Sequence, residues 1–284
     1  MKTLMINAML FFGLASQPLI AQEQKPIRIG EISLSFYAVA GGVVQEVLDK
    51  LGHKYEIVRG LHGEIYPKLA AGEVDILAAS WLPNAHGGLH AAAKDKTFQI
   101  ATLYGDAKLY WAVPDYVTGV TSIDDLKKPD VLAKMDKTIV GIGPDSGLMI
   151  GATKILKDYS LDGAGYKIVN DTAANWIANF RKAVDDKRWV VMPLWQPQWL
   201  NAAYKVRILD EPKGVYQTDT AYLVAANSLK NQLPAASIKA LSQISLSLAD
   251  VTRMDYIVNV EKKTPREAAR QWVSENRQKF EAWF

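Results

Sequence analysis

The sequence predicts an α/β protein of two similar lobes with a ligand cleft between them, and three observations carry that prediction. The first is G-E-V-D-I-L-A-A-S-W-L-P-N-A-H-G-G at residues 72–88. Residues 74–80 form a short apolar run bounded by turn formers, which reads as a strand buried on both faces. It runs into Trp81, after which Pro83, Asn84, Gly87 and Gly88 forbid regular structure. The second is W-V-V-M-P-L-W-Q-P-Q-W at residues 189–199, where an apolar run again ends on a tryptophan with proline two residues on. The third is what precedes each run. Residues 55–58, 64–71 and 74–80 read strand, helix, strand, and so do residues 166–169, 172–186 and 189–194. Each set is a βαβ unit in its own lobe. Open α/β sheets take ligands at strand carboxyl ends, so facing lobes present an aromatic from each side. Core packing explains Trp81 equally well when it is taken alone. The pair argues for a cleft. A cation held between rings gains about 0.5–2 kcal/mol per ring once water is excluded, and quaternary ammonium groups suit such cages.

From the start of the chain, residues 1–21 carry Lys2, an apolar run and then Pro18 and Ala21, the layout of a secretory signal peptide cleaved after Ala21. That run is too short to span a membrane. There is no cysteine, hence no disulfide, no cysteine metal site and no cysteine for a lipid anchor. The 284 residues are 49% hydrophobic and 22% charged, enough for two lobes each with its own core. The net charge of +3 comes from dispersed Lys and Arg, with no basic run of the kind nucleic acid requires.

Residues 27–32 are the first strand. A loop at Ser33 to Tyr37 leads to a helix at 38–51, ended by Gly52. Backbone N–H groups of that loop suit an anion such as a carboxylate, and Phe36 and Tyr37 are its aromatic candidates. Phe36 is equally well explained as core. His86 and His90 are four apart but lack the glutamate of a zinc hydrolase motif, so no metal is expected. His86 is expected to hydrogen-bond and fix its loop beside Asn84. Residues 108–116 form the crossover to the second lobe, with helix caps at Thr121, Ser122 and Asp124. The lobes so defined are residues 27–110 with 216–284, and residues 111–215, and two connecting strands allow them to close about a hinge.

Residues 138–142 are a strand, followed by Pro144, Asp145, Ser146 and Gly147 and a helix at 148–159. Gly141, Gly143 and Gly147 have the wrong spacing for a dinucleotide fingerprint. The loop is read instead as facing the ligand. Asp145 either points into the cleft, where it favours a net cation such as choline, or caps its own helix. Residues 216–227 return to the first lobe as a strand carrying Asp219 and Tyr222. Residues 234–248 are helical, and Thr264-Pro265-Arg266-Glu267 is a capping box opening a last helix with Trp272, Phe280, Trp283 and Phe284.

S-W-L-P-N-A-H-G, L-W-Q-P-Q-W and P-K-G-V at residues 212–215 resemble the glycine betaine/proline betaine-type substrate-binding proteins of ABC importers. The resemblance extends over nearly the whole chain after the leader. It implies the type II periplasmic-binding-protein fold, a small solute as ligand, a membrane permease as partner, a monomer and no cofactor. It also implies a ligand-contacting loop at Ser33 to Tyr37, where family members carry a tryptophan and this chain has Leu34 and Phe36. A polar contact falls near Tyr222. An aromatic near residues 244–248 is replaced here by Ile244, Ser245 and Leu246. The expected ligand set is Trp81, Trp195, Phe36, Tyr37, Asp145, Ser146, Gly147, Tyr222, Asn84 and His86. The expected ligand is a small compound with a quaternary or cationic nitrogen, glycine betaine first and choline next, with another amine, amino acid or zwitterion as the alternative. The outside alternative is an enzyme acting on such a solute, which no G-x-S-x-G elbow, metal spacing or phosphate loop supports.

Overall fold

The structure, a computed structural model, describes residues 25–284, so the expected leader at residues 1–21 lies outside the described residues. The chain opens with β1 (Ile27–Ile32), α1 (Ser35–Lys50), β2 (Tyr55–Gly60), α2 (His62–Ala71) and β3 (Ile76–Leu82). β1 pairs in parallel with both β2 and β3, so the crossover through α2 passes over it. Every residue of β3 is buried, which is why it reads as an unbroken apolar run. α1 starts earlier than the sequence predicts. Extended Leu34 is its N-cap residue, so Phe36 and Tyr37 fall in the first helical turn and not in a loop.

Next come α3 (Gly87–His90), β4 (Thr97–Pro114), α4 (Pro129–Leu132), β5 (Thr138–Gly141), α5 (Gly147–Asp158), β6 (Lys167–Asn170), α6 (Ala173–Asp185), β7 (Met192–Gln196), α7 (Leu200–Ala203), β8 (Val206–Ile208) and β9 (Asp219–Ala226). β4 is the spine. It pairs antiparallel with β9 as far as Ala107 opposite Asp219, then with β7 from Lys108 opposite Gln196. β8 joins its last residues, Ala112 to Pro114. One 18-residue strand therefore carries the sheet order β2-β1-β3-β9-β4 into a second half built on β7 and β8. The parallel pair β5-β6 belongs to that second half. Trp189 lies ahead of β7, not in it, and bridges to Met135.

The rest is helical: α8 (Leu229–Gln232), α9 (Ala235–Ser242), α10 (Leu248–Asn259), α11 (Pro265–Glu275) and α12 (Arg277–Glu281). The single helix expected over 234–248 is broken. Ser247 caps α10 through a reciprocal box with Asp250, and the Leu246 N–H bonds to the Leu103 carbonyl at 2.7 Å, which draws the chain across β4. The capping box at Thr264 forms as read, with proline in the first turn. That helix stops before Asn276, so Phe280, Trp283 and Phe284 lie beyond it, with Trp283 stacked on Trp272 at 5.8 Å. Among the described residues no helix is long and apolar enough to cross a membrane.

Candidate ligand-binding site

Trp81 sits just past a bulge in β3, where the register with β9 shifts between Leu77 and Ser80 and Ala79 takes φ 65°. Bulges of this kind re-aim the side chains that follow them. The loop that Pro83 and Asn84 force then folds back. The His86 N–H bonds to the Trp81 carbonyl at 2.9 Å, and the Trp81 N–H donates to His86 Nδ1 at 2.9 Å. With Nδ1 accepting, the proton of this neutral ring is on Nε2, which meets the Tyr37 hydroxyl at 3.1 Å. The Trp81 indole N–H is held by the Tyr104 hydroxyl at 3.1 Å. His86 thus fixes its loop, as expected, and ties Tyr37 to it.

From the second half, β7 delivers Trp195. The two motifs share their backbone as well as their sequence: Leu82-Pro83 and Gln196-Pro197 are both cis. Trp195 is backed by Trp176 of α6, stacked at 4.9 Å and 18°. Between the two halves stands Phe36, with its ring 5.6 Å from that of Trp81 and 5.5 Å from that of Trp195. The sequence pictured two tryptophans face to face. The structure places a third ring against both, and Phe36 is buried in the core as well as lining the cavity.

Phe36, Tyr37, Trp81, His86, Ser146, Gly147 and Trp195 line one narrow cavity, together with His62, Leu109, Ile142 and others. Three expected ligand residues lie elsewhere. Asn84 lines a wider hollow beside the cavity, and its backbone and side-chain amides both donate to Asp219, at 2.7 and 3.1 Å. It builds the loop. Tyr222 lines neither the cavity nor the hollows flanking it; on β9 it pairs with Ser80 and Thr102. Asp145 neither enters the cavity nor caps its own helix. Ser146 caps α5 by accepting from the Met149 N–H, and Asp145 instead accepts from the Gly63 N–H in the first turn of α2. His62 was missed, although it follows the carboxyl end of β2 and the strand-end rule applies to it as well as to Trp81.

Among the described residues no carboxylate lines the cavity. Its polar groups are neutral and mostly donors. The Ser146 hydroxyl is spent on the Gly143 carbonyl at 2.8 Å. The first-turn N–H groups of α5, at Gly147 and Leu148, are not used inside the helix. The Trp195 indole N–H is buried without a partner. Burial holds His86 well below the ordinary histidine range, and His62 adds to the effect. Burial also brings His62 down to about 4, against the pull of Asp145.

These shifts set a pH dependence that Asp255 opposes. Asp255, fully buried on α10, accepts from the Trp199 N–H at 2.9 Å and from Asn259 at 2.9 Å, and burial pushes it up to about 6 from 3.8. The histidines contribute stability that is complete above their unfolded value of 6.5, and His62's share is lost as pH falls toward 4. The Asp255 contribution has the opposite sign. It is complete below 3.8 and lost as pH rises through about 6. At about 1.4 kcal/mol per pH unit, His62 and Asp255 each amount to about 3 kcal/mol and nearly cancel, leaving His86, with His53 and His90 lowered by burial on the same side, to decide the sign. Stability is therefore expected to fall between pH 7 and pH 4.5. Asp255→Asn should steepen that fall and His62→Gln should flatten it. Urea midpoints across this range check it, and slopes indifferent to both substitutions would refute the assignment.

Two α/β halves are thus joined through a shared strand, with a narrow aromatic cavity between them. The chain belongs to the family described as the substrate-binding domain of ABC-type glycine betaine transport systems, whose model matches residues 25–275. Among curated proteins it is similar to the glycine betaine/carnitine transport binding protein of Listeria monocytogenes, with 29% identity over 157 residues, 55% of this chain and 52% of the relative. That alignment spans about half of the relative's length. Among solved structures it is similar to the lactococcal protein OpuAC, in its closed-liganded conformation with glycine betaine, at a TM-score of 0.82 and 23% identity over 92% of this chain and 99% of the other. A choline-binding protein of an ABC transporter, in complex with choline, gives 0.78 and 18% identity over 91% of each chain. The fold is that of the type II substrate-binding proteins.

Proposed function

We propose that this chain is the periplasmic receptor of an ABC importer and that its ligand is a zwitterionic quaternary amine, glycine betaine first. The observation that carries this reading is the polarity of the cavity. Its rings suit a methylated ammonium. Its other polar groups are uncharged and include the α5 N-terminus and an unpartnered indole N–H, which suit a carboxylate. A net cation such as choline would find the rings but no lining carboxylate, so it ranks second. Residues 27–110 with 216–284 and residues 111–215 act as the two lobes, and the change of β4 partner between Ala107 and Lys108 supports that division. The protein works as a monomer that delivers solute to a membrane permease, with no catalysis, no cofactor and no nucleic acid. Residues 1–21 are the export signal.

A thermal-shift panel of glycine betaine, proline betaine, carnitine, choline and simple amines tests the ligand class. A solute at 100 times its Kd stabilises by about 2.7 kcal/mol. The betaines are expected to stabilise most. Greater stabilisation by choline or by simple amines than by any betaine would reverse the ranking.

A further inference from the structure

α2 begins without a cap of its own. Its N-cap residue is Leu61, whose side chain has no acceptor. Glu64 takes the Leu61 N–H at 2.7 Å and gives its own N–H to the Leu61 carbonyl at 3.0 Å, which leaves the Gly63 N–H without an acceptor from the first half. The missing acceptor arrives from the second half. Asp145, on the loop ahead of α5, accepts the Gly63 N–H, while α5 itself is capped by Ser146. Gly63 permits the approach, since a Cβ there would stand 2.7 Å from the carboxylate. Asp145 lines a hollow with Leu61, His62 and Thr172 and is absent from the walls of the ligand cavity.

We infer that Asp145 is a latch: it caps α2 from the opposite lobe and so sets affinity without touching the ligand. An acidic group at a helix N-terminus is stabilising, and here the bond exists only while the halves are together. Observed affinity scales with the fraction of protein in the binding-competent state, so this contact should affect every ligand by one common factor. The inference rests on the reading of the cavity as a ligand site that closes.

The chain has no cysteine, so an introduced pair, Glu73→Cys with Lys167→Cys, places one spin label on each lobe at exposed positions. Interlobe distances are measured with and without 10 mM glycine betaine, in the parent and in Asp145→Ala and Asp145→Asn. Calorimetry on the same variants gives Kd for glycine betaine and choline. Without ligand, Asp145→Ala is expected to shift the distances toward the open form. It should weaken both ligands by about 3–10-fold and by the same factor, with the Asn variant between it and the parent. Unequal losses, such as choline abolished with betaine unchanged, would show direct ligand contact and overturn the latch. So would unchanged affinities together with an unchanged ligand-free distribution. If neither solute binds the parent, the ligand reading fails, and the ligand-free distances alone decide the latch.

Discussion

Gly147→Ala is expected to weaken ligand binding by roughly 100-fold while leaving thermal stability nearly unchanged. A Cβ at Gly147 would stand 2.4 Å from the Ala85 carbonyl oxygen and 2.8 Å from its Cα. Both are backbone atoms of the loop after Trp81, and that loop is pinned by Asp219 through the Asn84 and Ala85 N–H groups at 2.7 and 2.9 Å. Neither side yields easily. Overpacking of this kind costs about 1–3 kcal/mol. Because the clash lies between the halves, it falls on the closed state and not on either half's own core. Calorimetry and a melting curve on the same sample separate the two effects. An alanine variant that binds as the parent does would mean the halves need not approach this closely to hold ligand.

The two tryptophans should differ in what their loss does. Trp195→Ala is expected to weaken binding of a quaternary amine by about 1–3 kcal/mol, from the ring's cation–π and burial contributions. Trp81→Ala should weaken binding by a similar amount and destabilise the fold more. Both rings are buried, Trp81 at 1% and Trp195 at 3% exposure, so either loss empties part of the core, but only Trp81 also gives up an indole hydrogen bond, to Tyr104. Large-to-small changes of this kind cost about 3–5 kcal/mol. Trp81→Phe keeps much of the packing and isolates the binding effect. Urea unfolding beside calorimetry checks both expectations. A Trp195→Ala protein with unchanged affinity would remove Trp195 from the site.

The sequence shows the strands well because they are apolar and bounded. β1 matches its predicted span, and β3 was read two residues early but with the right exit at Trp81. The pairing of the two W-x-P motifs is legible because each follows a strand and a helix; the second set is not a βαβ unit of one sheet, since β6 pairs with β5 and β7 with β4. Three features were not legible, each for a physical reason. The sequence leaves Phe36 between core and ligand, because its placement depends on two rings far away in sequence, Trp81 and Trp195. For Asp145 the sequence offers the cleft or its own helix, because capping is a local rule and local rules do not reveal a helix in the other half that lacks a cap. The break at 243–247 was hidden by an apolar run. Ile244 and Leu246 are buried, but against the sheet and not along a helix, and only the Ser247 box betrays the restart.

A neutral, donor-lined aromatic cavity should select a zwitterionic quaternary amine over a simple cation. The most direct test of this selection is calorimetric titration of protein refolded free of ligand, with glycine betaine and choline measured at pH 7 in the same buffer. One glycine betaine is expected to bind per chain, saturably and tighter than choline by about tenfold or more, since an unpaired carboxylate or an unpaired cation each costs at least 1–3 kcal/mol once water is excluded. Tighter binding of choline, or saturation by neither solute, would contradict it.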